Sequence, residues 1–371
     1  MEALTAVDLS PLLTPFDTKR GIALKNRFVM APMTRRRSPG NVPGQDVAAY
    51  YARRASSMGL LITEGTYIDH GSAGDSSEVP TMYGTDALKG WSQVVDAIHD
   101  QGGQIWAQLW HIGGTRRPAG PPGRESPVVS PSGIGLAGEN CGNPASVGVI
   151  NDIIAAYARS AVNARDVGFD GIELHGAHGY LIDEFLWAFT NRRTDGYGGS
   201  PQGRNRFASE VVSAVRAAVG DEFPIGFRFS QWKDGQYDAR IADAPQELQD
   251  LLTPVVDAGV DLLHPSTRRY WQPAFAGSDR TLAGWTKQLF DVPVIALGSV
   301  GVSSPFAGTG KDEARQATDL TPLVDLFHRG EFDLVGLGRA SLADPDWVRK
   351  VADGRFGEVR AYTKAMEKTL H

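Results

Sequence analysis

The sequence predicts an α/β fold of the (β/α)8 TIM-barrel class, with an N-terminal hairpin and a long loop after the third strand. Three observations predict it. Eight short apolar runs alternate with segments of helical period along most of the chain. The 371 residues suit one such barrel carrying insertions. The rival, an open doubly wound sheet, normally carries a glycine-rich dinucleotide loop after its first strand, and none stands there. The whole chain, 1–371, is expected to form a single domain.

The elements follow in order. Asp17-Thr-Lys-Arg-Gly21 lies between apolar runs and reads as a hairpin turn. Asn26 to Thr34 is the first barrel strand and stops at a polar loop, and Gly59 to Thr66 is the second. Thr85 to Gln101 places Leu88, Trp91, Val94, Val95 and Ile98 at helical spacing and ends at Gly102-Gly103. Gln104 to His111 is the third strand. Residues 112–148 are rich in Gly, Pro and Ser without a period, and a loop of that length usually serves function. After a strand, it is placed to cover the C-terminal face of a barrel. Alternation resumes with a helix over Val149–Val167 and a fourth strand over Phe169–His175. Helices over Arg204–Val219, Pro245–Ala258, Leu282–Phe290, Leu320–His328 and Pro345–Ala352 then interleave with the rest. Strands five to eight fall at Pro224–Phe229, Val260–His264, Pro293–Gly298 and Phe332–Gly336.

Composition narrows the function. Lys and Arg number 37 against 43 Asp and Glu, a net charge of −6, which gives no electrostatic support to nucleic-acid binding. Cys141 is the only cysteine, which excludes an internal disulfide and a multi-cysteine metal site and fits a reducing compartment. Nothing reads as a transmembrane span, and Glu2 and Asp8 with no apolar core argue against a secretory signal. A cytoplasmic protein with no membrane or nucleic-acid partner is expected.

The chemistry concentrates at Phe169-Asp-Gly-Ile-Glu-Leu-His175-Gly-Ala-His178-Gly-Tyr180, a buried strand ending in a turn. His175, His178 and Tyr180 can each donate a hydrogen bond, and His and Tyr are common proton-transfer groups. Together they suggest a site that polarises an oxygen and moves a proton. A His-x-x-His metal pair, or two histidines capping a turn, are the alternative readings, and no third ligand is fixed by spacing. In a barrel the C-terminal strand ends form the active face. They present Thr34, then Glu64 and Gly65, then Gln108, Trp110 and His111, then the histidines, then Arg228. Gly298-Ser299-Val-Gly301 and Gly336-Leu-Gly338-Arg339 follow strands seven and eight. Those are the loops that usually hold phosphate in this fold, through close backbone N–H groups and an arginine.

From about Leu12 to Ala352 the motifs and their order resemble the old yellow enzyme family of FMN-dependent ene-reductases. The motifs are Asn26-Arg-Phe-Val-Met-Ala-Pro-Met-Thr34, Thr63-Glu-Gly-Thr66, Ala107-Gln-Leu-Trp-His111, His175-Gly-Ala-His-Gly-Tyr-Leu181, Asn191-Arg-Arg-Thr-Asp-Gly-Tyr-Gly-Gly-Ser200 and Gly338-Arg339. The resemblance implies bound FMN and reduction by NADPH or NADH. It implies that Pro32, Met33 and Thr34 pack beside the flavin, that Gly65 and Gln108 line its ring, and that Arg228 sits at the pyrimidine edge. Gly298, Ser299, Gly338 and Arg339 would hold the phosphate. His175 and His178 would bind the carbonyl or nitro oxygen of an enone or nitro substrate, and Tyr180 would supply the proton. Thr34 and Trp110 resemble the branch without a redox-sensing cysteine. Two stretches depart from the family pattern. Ser200-Pro-Gln-Gly-Arg204 stands where the family usually has Ser-x-Glu-Asn-Arg, and Ser266-Thr-Arg-Arg-Tyr-Trp271 begins an aromatic-rich loop. Trp110 and Trp271 are the further candidates for substrate contact.

Two other activities fit the same residues. An oxidative amine demethylase or dehydrogenase on the same flavin barrel would use the Tyr270-Trp271 loop to enclose an alkylammonium group. A metal-dependent barrel hydrolase would use His111, His175 and His178.

Overall fold

The computed structural model describes residues 7–17, 20, 23–303 and 319–371. Strands β1 (Phe16–Asp17) and β2 (Ala23–Leu24) pair antiparallel, with Phe16 opposite Leu24, as the hairpin expectation requires. Thr18, Lys19 and Gly21 of the expected turn lie outside the described residues. The chain then runs β3 (Phe28–Met30), α1 (Gln45–Ala55), β4 (Leu60–Ile62), β5 (Thr66–Tyr67), α2 (Thr85–His99), β6 (Ile105–Trp110) and α3 (Val147–Asp166). It continues through β7 (Gly171–His178), α4 (Leu181–Leu186), α5 (Pro201–Val219), β8 (Ile225–Lys233), α6 (Pro245–Asp257), β9 (Leu262–Pro265) and α7 (Leu282–Leu289). Last come β10 (Ile295–Leu297), α8 (Thr321–His328), β11 (Leu334–Leu337), α9 (Arg339–Ala343) and α10 (Trp347–Ala352).

Eight parallel strands lie in the order β10-β11-β3-β4-β6-β7-β8-β9. The ring closes between β9 and β10, where Leu263 N–H donates to Pro293 O at 2.9 Å and Thr267 N–H to Leu297 O at 3.1 Å. This is the predicted (β/α)8 TIM barrel.

Strand alternation sorts the apolar residues into two layers. Val29, Leu60, Ile62, Trp106, Leu262, Ile295 and Leu334 fill the barrel interior, and Leu24 and Phe16 of the hairpin pack onto them from the N-terminal end. The other strand faces, including Met30, Leu61, Leu109, Ile172 and Leu174, pack under the helices. Trp106 is the bulkiest interior side chain, and glycines on two neighbouring strands make room for it. A Cβ at Gly171 would stand 2.6 Å from its Cε2, and one at Gly226 would stand 3.0 Å from its Cζ3. With the hairpin against the N-terminal end, an open site is left to the C-terminal strand ends.

Several elements differ from the sequence expectations. Helix α1 was not predicted: its buried face mixes Tyr50, Tyr51 and Arg54 with Val47 and Ala55, so no apolar stripe marks it. Strand β7 does not stop at His175 but runs through His178, with a register shift between Gly176 and His178 against β8. Strand β8 likewise runs past Phe229 to Lys233. The 112–148 segment contains one short 3-10 turn, Gly113–Thr115, before α3 begins. Arg116 ties it together, donating to the carbonyls of Gly74, Gly120, Gly123 and Ser126 at 2.6–2.9 Å. No helix among the described residues is long and apolar enough to cross a membrane.

Candidate active site

A cavity of about 470 Å³ opens at the C-terminal strand ends. Its wall takes residues from the loop after β3 and from the ends of β6, β7, β8, β9, β10 and β11. Pro32, Met33, Thr34, Gln108, Trp110, His175, His178, Tyr180, Arg228, Gly298, Ser299, Gly338 and Arg339 all line it. The sequence therefore brings together thirteen of its fifteen candidates.

Three expectations need correction. Gly65 does not line the cavity but lies behind Trp110, where a Cβ would stand 2.5 Å from the indole Cε3. Its lack of a side chain makes room for that ring, not for a ligand. Trp271 is 39% exposed and lines a separate surface recess with Pro322, Leu326 and His328. The loop is turned there because Tyr270 N–H donates to Gly298 O at 3.0 Å and its ring is buried, which sends the next residue outward. The expectation that residues 112–148 cover the active face also fails, since none lines the cavity. The segment braces that face instead: Gly114 N–H donates to Glu184 at 2.9 Å, and Leu136 packs against Gly179.

His175 and His178 would point to opposite faces of a regular strand. The register shift and a φ of 65° at His178 turn the second ring to the same cavity as the first. The rings lie 5.2 Å apart at 84°. His175 Nδ1 accepts from Ala177 N–H at 3.4 Å, so its proton sits on Nε2. His178 stacks on Trp232 with centroids 4.3 Å apart, and its Nε2 lies 2.8 Å from Ser266 Oγ. Arg228 Nη2 donates to that same oxygen at 3.2 Å. Ser266 thereby keeps its hydroxyl hydrogen to give to Nε2, and in that arrangement the His178 proton is on Nδ1. Burial, and then the positive charge of Arg228, hold both imidazoles well below the usual pKa, so both are neutral donors at neutral pH.

Tyr180 stands 4.9 Å from both His175 and Trp110, ring to ring. Burial, with the Asp234 carboxylate next, raises its phenol pKa, so it keeps its proton. Behind Gln108 lies a fully buried network. Gln108 Nε2 donates to Glu173 Oε1 at 2.8 Å, and His264 Nδ1 meets Glu173 Oε2 at 2.5 Å. Burial works to raise the Glu173 carboxyl, but His264, Arg228 and Gln108 together hold it below the usual range.

Glu64, named at a strand end by the sequence, is buried behind the wall. It accepts from the backbone N–H groups of Arg35 at 2.7 Å and Arg36 at 3.2 Å, and so holds Arg36 at a φ of 53°. Sequence reasoning missed Trp232 and Tyr237 in the wall and gave Ser266 no role there. Trp232 lies four residues beyond Arg228 on β8, and a longer strand there would have pointed to it.

The cavity has chemically different ends. At one, Arg228 Nε is buried without a hydrogen-bond partner, and the polar Gln108 lines the wall beside it. At the other, Gly338 has only Met33 Sδ within 4 Å of where a Cβ would be, at 3.9 Å, so its backbone is open to the cavity. Arg339 Nη2 donates to Ser299 Oγ there at 3.3 Å. One flat polar ring and one phosphate fit these two ends.

The profile of the NADH:flavin oxidoreductase / NADH oxidase family matches residues 11–358. This chain belongs to that family. It is 40% identical to 12-oxophytodienoate reductase 7 of Oryza sativa subsp. japonica over 98% of this chain and 91% of that protein. It is 30% identical to an NADH oxidase of Thermoanaerobacter brockii over 91% of this chain, which spans only 50% of that protein. A structure of morphinone reductase in complex with tetrahydroNAD superposes with a TM-score of 0.78 and 28% identity, covering 96% of this chain and 93% of that one. The old yellow enzyme resemblance of the sequence is borne out, and the protein is an FMN-dependent flavin oxidoreductase driven by NAD(P)H.

The alternatives lose their supports. Among the described residues no three metal-ligating side chains converge. His111 does not line the cavity with His175 and His178; its Nε2 lies 2.9 Å from Ser72 Oγ and its Nδ1 accepts from Gly113 N–H. Tyr270 and Trp271, which were to enclose an alkylammonium group, do not line the cavity, although Ser266, Thr267 and Arg268 of the same loop do.

Proposed function

We propose that this flavin oxidoreductase reduces the activated C=C bond of α,β-unsaturated carbonyl or nitro compounds. The observation that supports the reading is the convergence of two neutral imidazoles and a protonated phenol on one wall of one cavity. FMN, when bound, supplies the hydride chemistry between NAD(P)H and substrate. Gln108 and Arg228 would hold its pyrimidine edge, Pro32, Met33 and Thr34 would pack beside the ring, and Gly298, Ser299, Gly338 and Arg339 would take the phosphate. We read the whole chain as one flavin-binding barrel domain, working in the cytoplasm on free small molecules.

The protein's own part is orientation and proton delivery. His175 Nε2–H and His178 Nδ1–H would donate to the substrate oxygen, and those bonds strengthen as negative charge gathers on it. Neutral donors suit this task, because a second proton on His175 would set an Nδ1–H against the Ala177 N–H from which that nitrogen accepts. Tyr180 would deliver its phenolic proton to the carbon next to the carbonyl. Trp110 and Trp232 would confine the substrate between aromatic faces.

The test is an anaerobic spectrum of the purified protein. NADPH should bleach the yellow colour and cyclohexenone should restore it. Bleaching by an alkylamine in the absence of NADPH, with no reoxidation by the enone, would favour the oxidative reading instead.

A further inference from the structure

Asp183 and Lys233 form an ion pair of 2.8 Å, and neither side chain is exposed at all. Neither residue lines the cavity. Removing two charges from water is costly, and a buried ion pair rarely stabilises a fold more than apolar residues of the same volume. Packing alone therefore does not account for the pair, and its hydrogen bonds point to another role.

Asp183 uses its second oxygen, Oδ2, to accept from Gly179 N–H at 2.7 Å. Lys233 Nζ also donates to Ser230 O at 3.1 Å, and the Ser230 hydroxyl accepts from His178 N–H at 2.9 Å. Lys233 is moreover the ladder partner of His178, and the next residue, Asp234, donates its N–H to His178 O at 3.1 Å. Three of these bonds end on His178 or Gly179, just before Tyr180, and the one from Lys233 holds Ser230, whose hydroxyl makes one of the three. Gly179 sits at a φ of 85°, and a Cβ there would stand 2.6 Å from Leu136 Cδ2. The turn has no side chain at its centre to hold it, and the Asp183 carboxylate grips it by the backbone instead.

We propose that Asp183 and Lys233 are positioning residues that lock this turn so that the Tyr180 hydroxyl and the His178 ring meet the substrate in register. The proposal rests on the ene-reductase reading given above. Misplacing a proton donor by about 1 Å can cost roughly 10²-fold in rate.

Two double variants test it. D183N/K233M and D183A/K233M both remove both charges, so neither buries an unpaired ion. Only the first keeps an oxygen for Gly179 N–H. Turnover of cyclohexenone and of a nitroalkene is measured in each, together with FMN content and melting temperature. A nitroalkene serves as the internal reference because its product anion can be protonated in solution. D183A/K233M should lose roughly 10- to 100-fold on the enone and no more than about threefold on the nitroalkene. D183N/K233M should keep the wild-type ratio of the two rates. Equal losses on both substrates, or no loss, would show a merely structural pair and overturn the proposal. If D183A/K233M fails to fold, D183L/K233M, which fills the vacated space with apolar atoms and likewise gives Gly179 N–H no acceptor, takes its place: the same enone-selective loss should occur, and its absence overturns the proposal. Tyr180→Phe is run in the same assay. A shifted ratio in Tyr180→Phe with none in the Asp183 and Lys233 variants overturns the clamp alone. No shift in Tyr180→Phe overturns the ene-reductase assignment of Tyr180 and the proposal with it.

Discussion

His178 Nε2 lies 2.8 Å from Ser266 Oγ, and this contact decides which ring nitrogen carries a proton into the cavity. Arg228 donates to the same oxygen, so the hydroxyl hydrogen is left for the imidazole. Ser266→Ala should leave the ring stacked on Trp232 but free to exchange tautomers. Losing one hydrogen bond of this kind is worth about 0.5–1.5 kcal/mol, so phenol affinity should fall by roughly 2- to 12-fold. Ser266→Thr should retain most of it. An absorbance titration with a phenol checks both.

The two histidines should be needed separately. His175→Ala and His178→Ala should each weaken phenol binding by about 1–3 kcal/mol, because each removes one of two donors aimed at one oxygen. Unchanged phenol affinity in both variants would show that the pair does not grip the oxygen.

Glu64 gives a pH prediction. Burial pushes its carboxyl from 4.5 up to about 7, against the backbone bonds from Arg35 and Arg36. A raised pKa means that between about 4.5 and about 7 the folded state keeps a proton the unfolded chain has lost. The contribution of this group to stability therefore falls as pH rises through that window and is level above it. Glu64→Gln keeps an oxygen for the two N–H groups and cannot ionise. The stability of wild type relative to the variant should decline by on the order of 3 kcal/mol from pH 5 to pH 8, as read by denaturant unfolding. A constant difference across that range would contradict the assignment.

Packing at Trp106 gives a fourth. Gly171→Ala would bring a methyl group to within 2.6 Å of the indole, between two strands that cannot part. It should destabilise the protein by about 1–3 kcal/mol without altering bound-flavin absorbance per folded molecule. Thermal melts paired with the visible spectrum measure both quantities.

All eight barrel strands were legible because each is an apolar run bounded by turn residues, and the site was legible because barrel strand ends face one way. What was not legible depends on contacts far apart in sequence. Strand β7 reaches His178 only because β8 continues beside it to Lys233, and that pairing carries the bulge that brings both histidines to one face. Ser266 gains its role from the β9 register, where its N–H donates to Phe229 O at 2.8 Å. Trp271 looked like a pocket residue because aromatic loops often are. The backbone bond from Tyr270 to Gly298, on another strand end, turns it outward. Gly65 was expected to line the flavin ring, and the ring it makes room for is Trp110, a neighbour brought to it only by the fold. Helix α1 hid behind a buried arginine, since Arg54 satisfies carbonyls of Tyr50, Ser341 and Leu342 and so occupies a core position without being apolar.

The central claim is that Tyr180 supplies a proton to a substrate oriented by His175 and His178, and stopped-flow kinetics of Tyr180→Phe tests it most directly. The variant keeps the ring beside Trp110 and His175 and removes only the donor. Reduction of its flavin by NADPH needs no such proton and should stay near wild type. Reoxidation by a simple enone should slow by roughly 10²- to 10⁴-fold. Equal enone reoxidation rates in the variant and wild type would contradict the account.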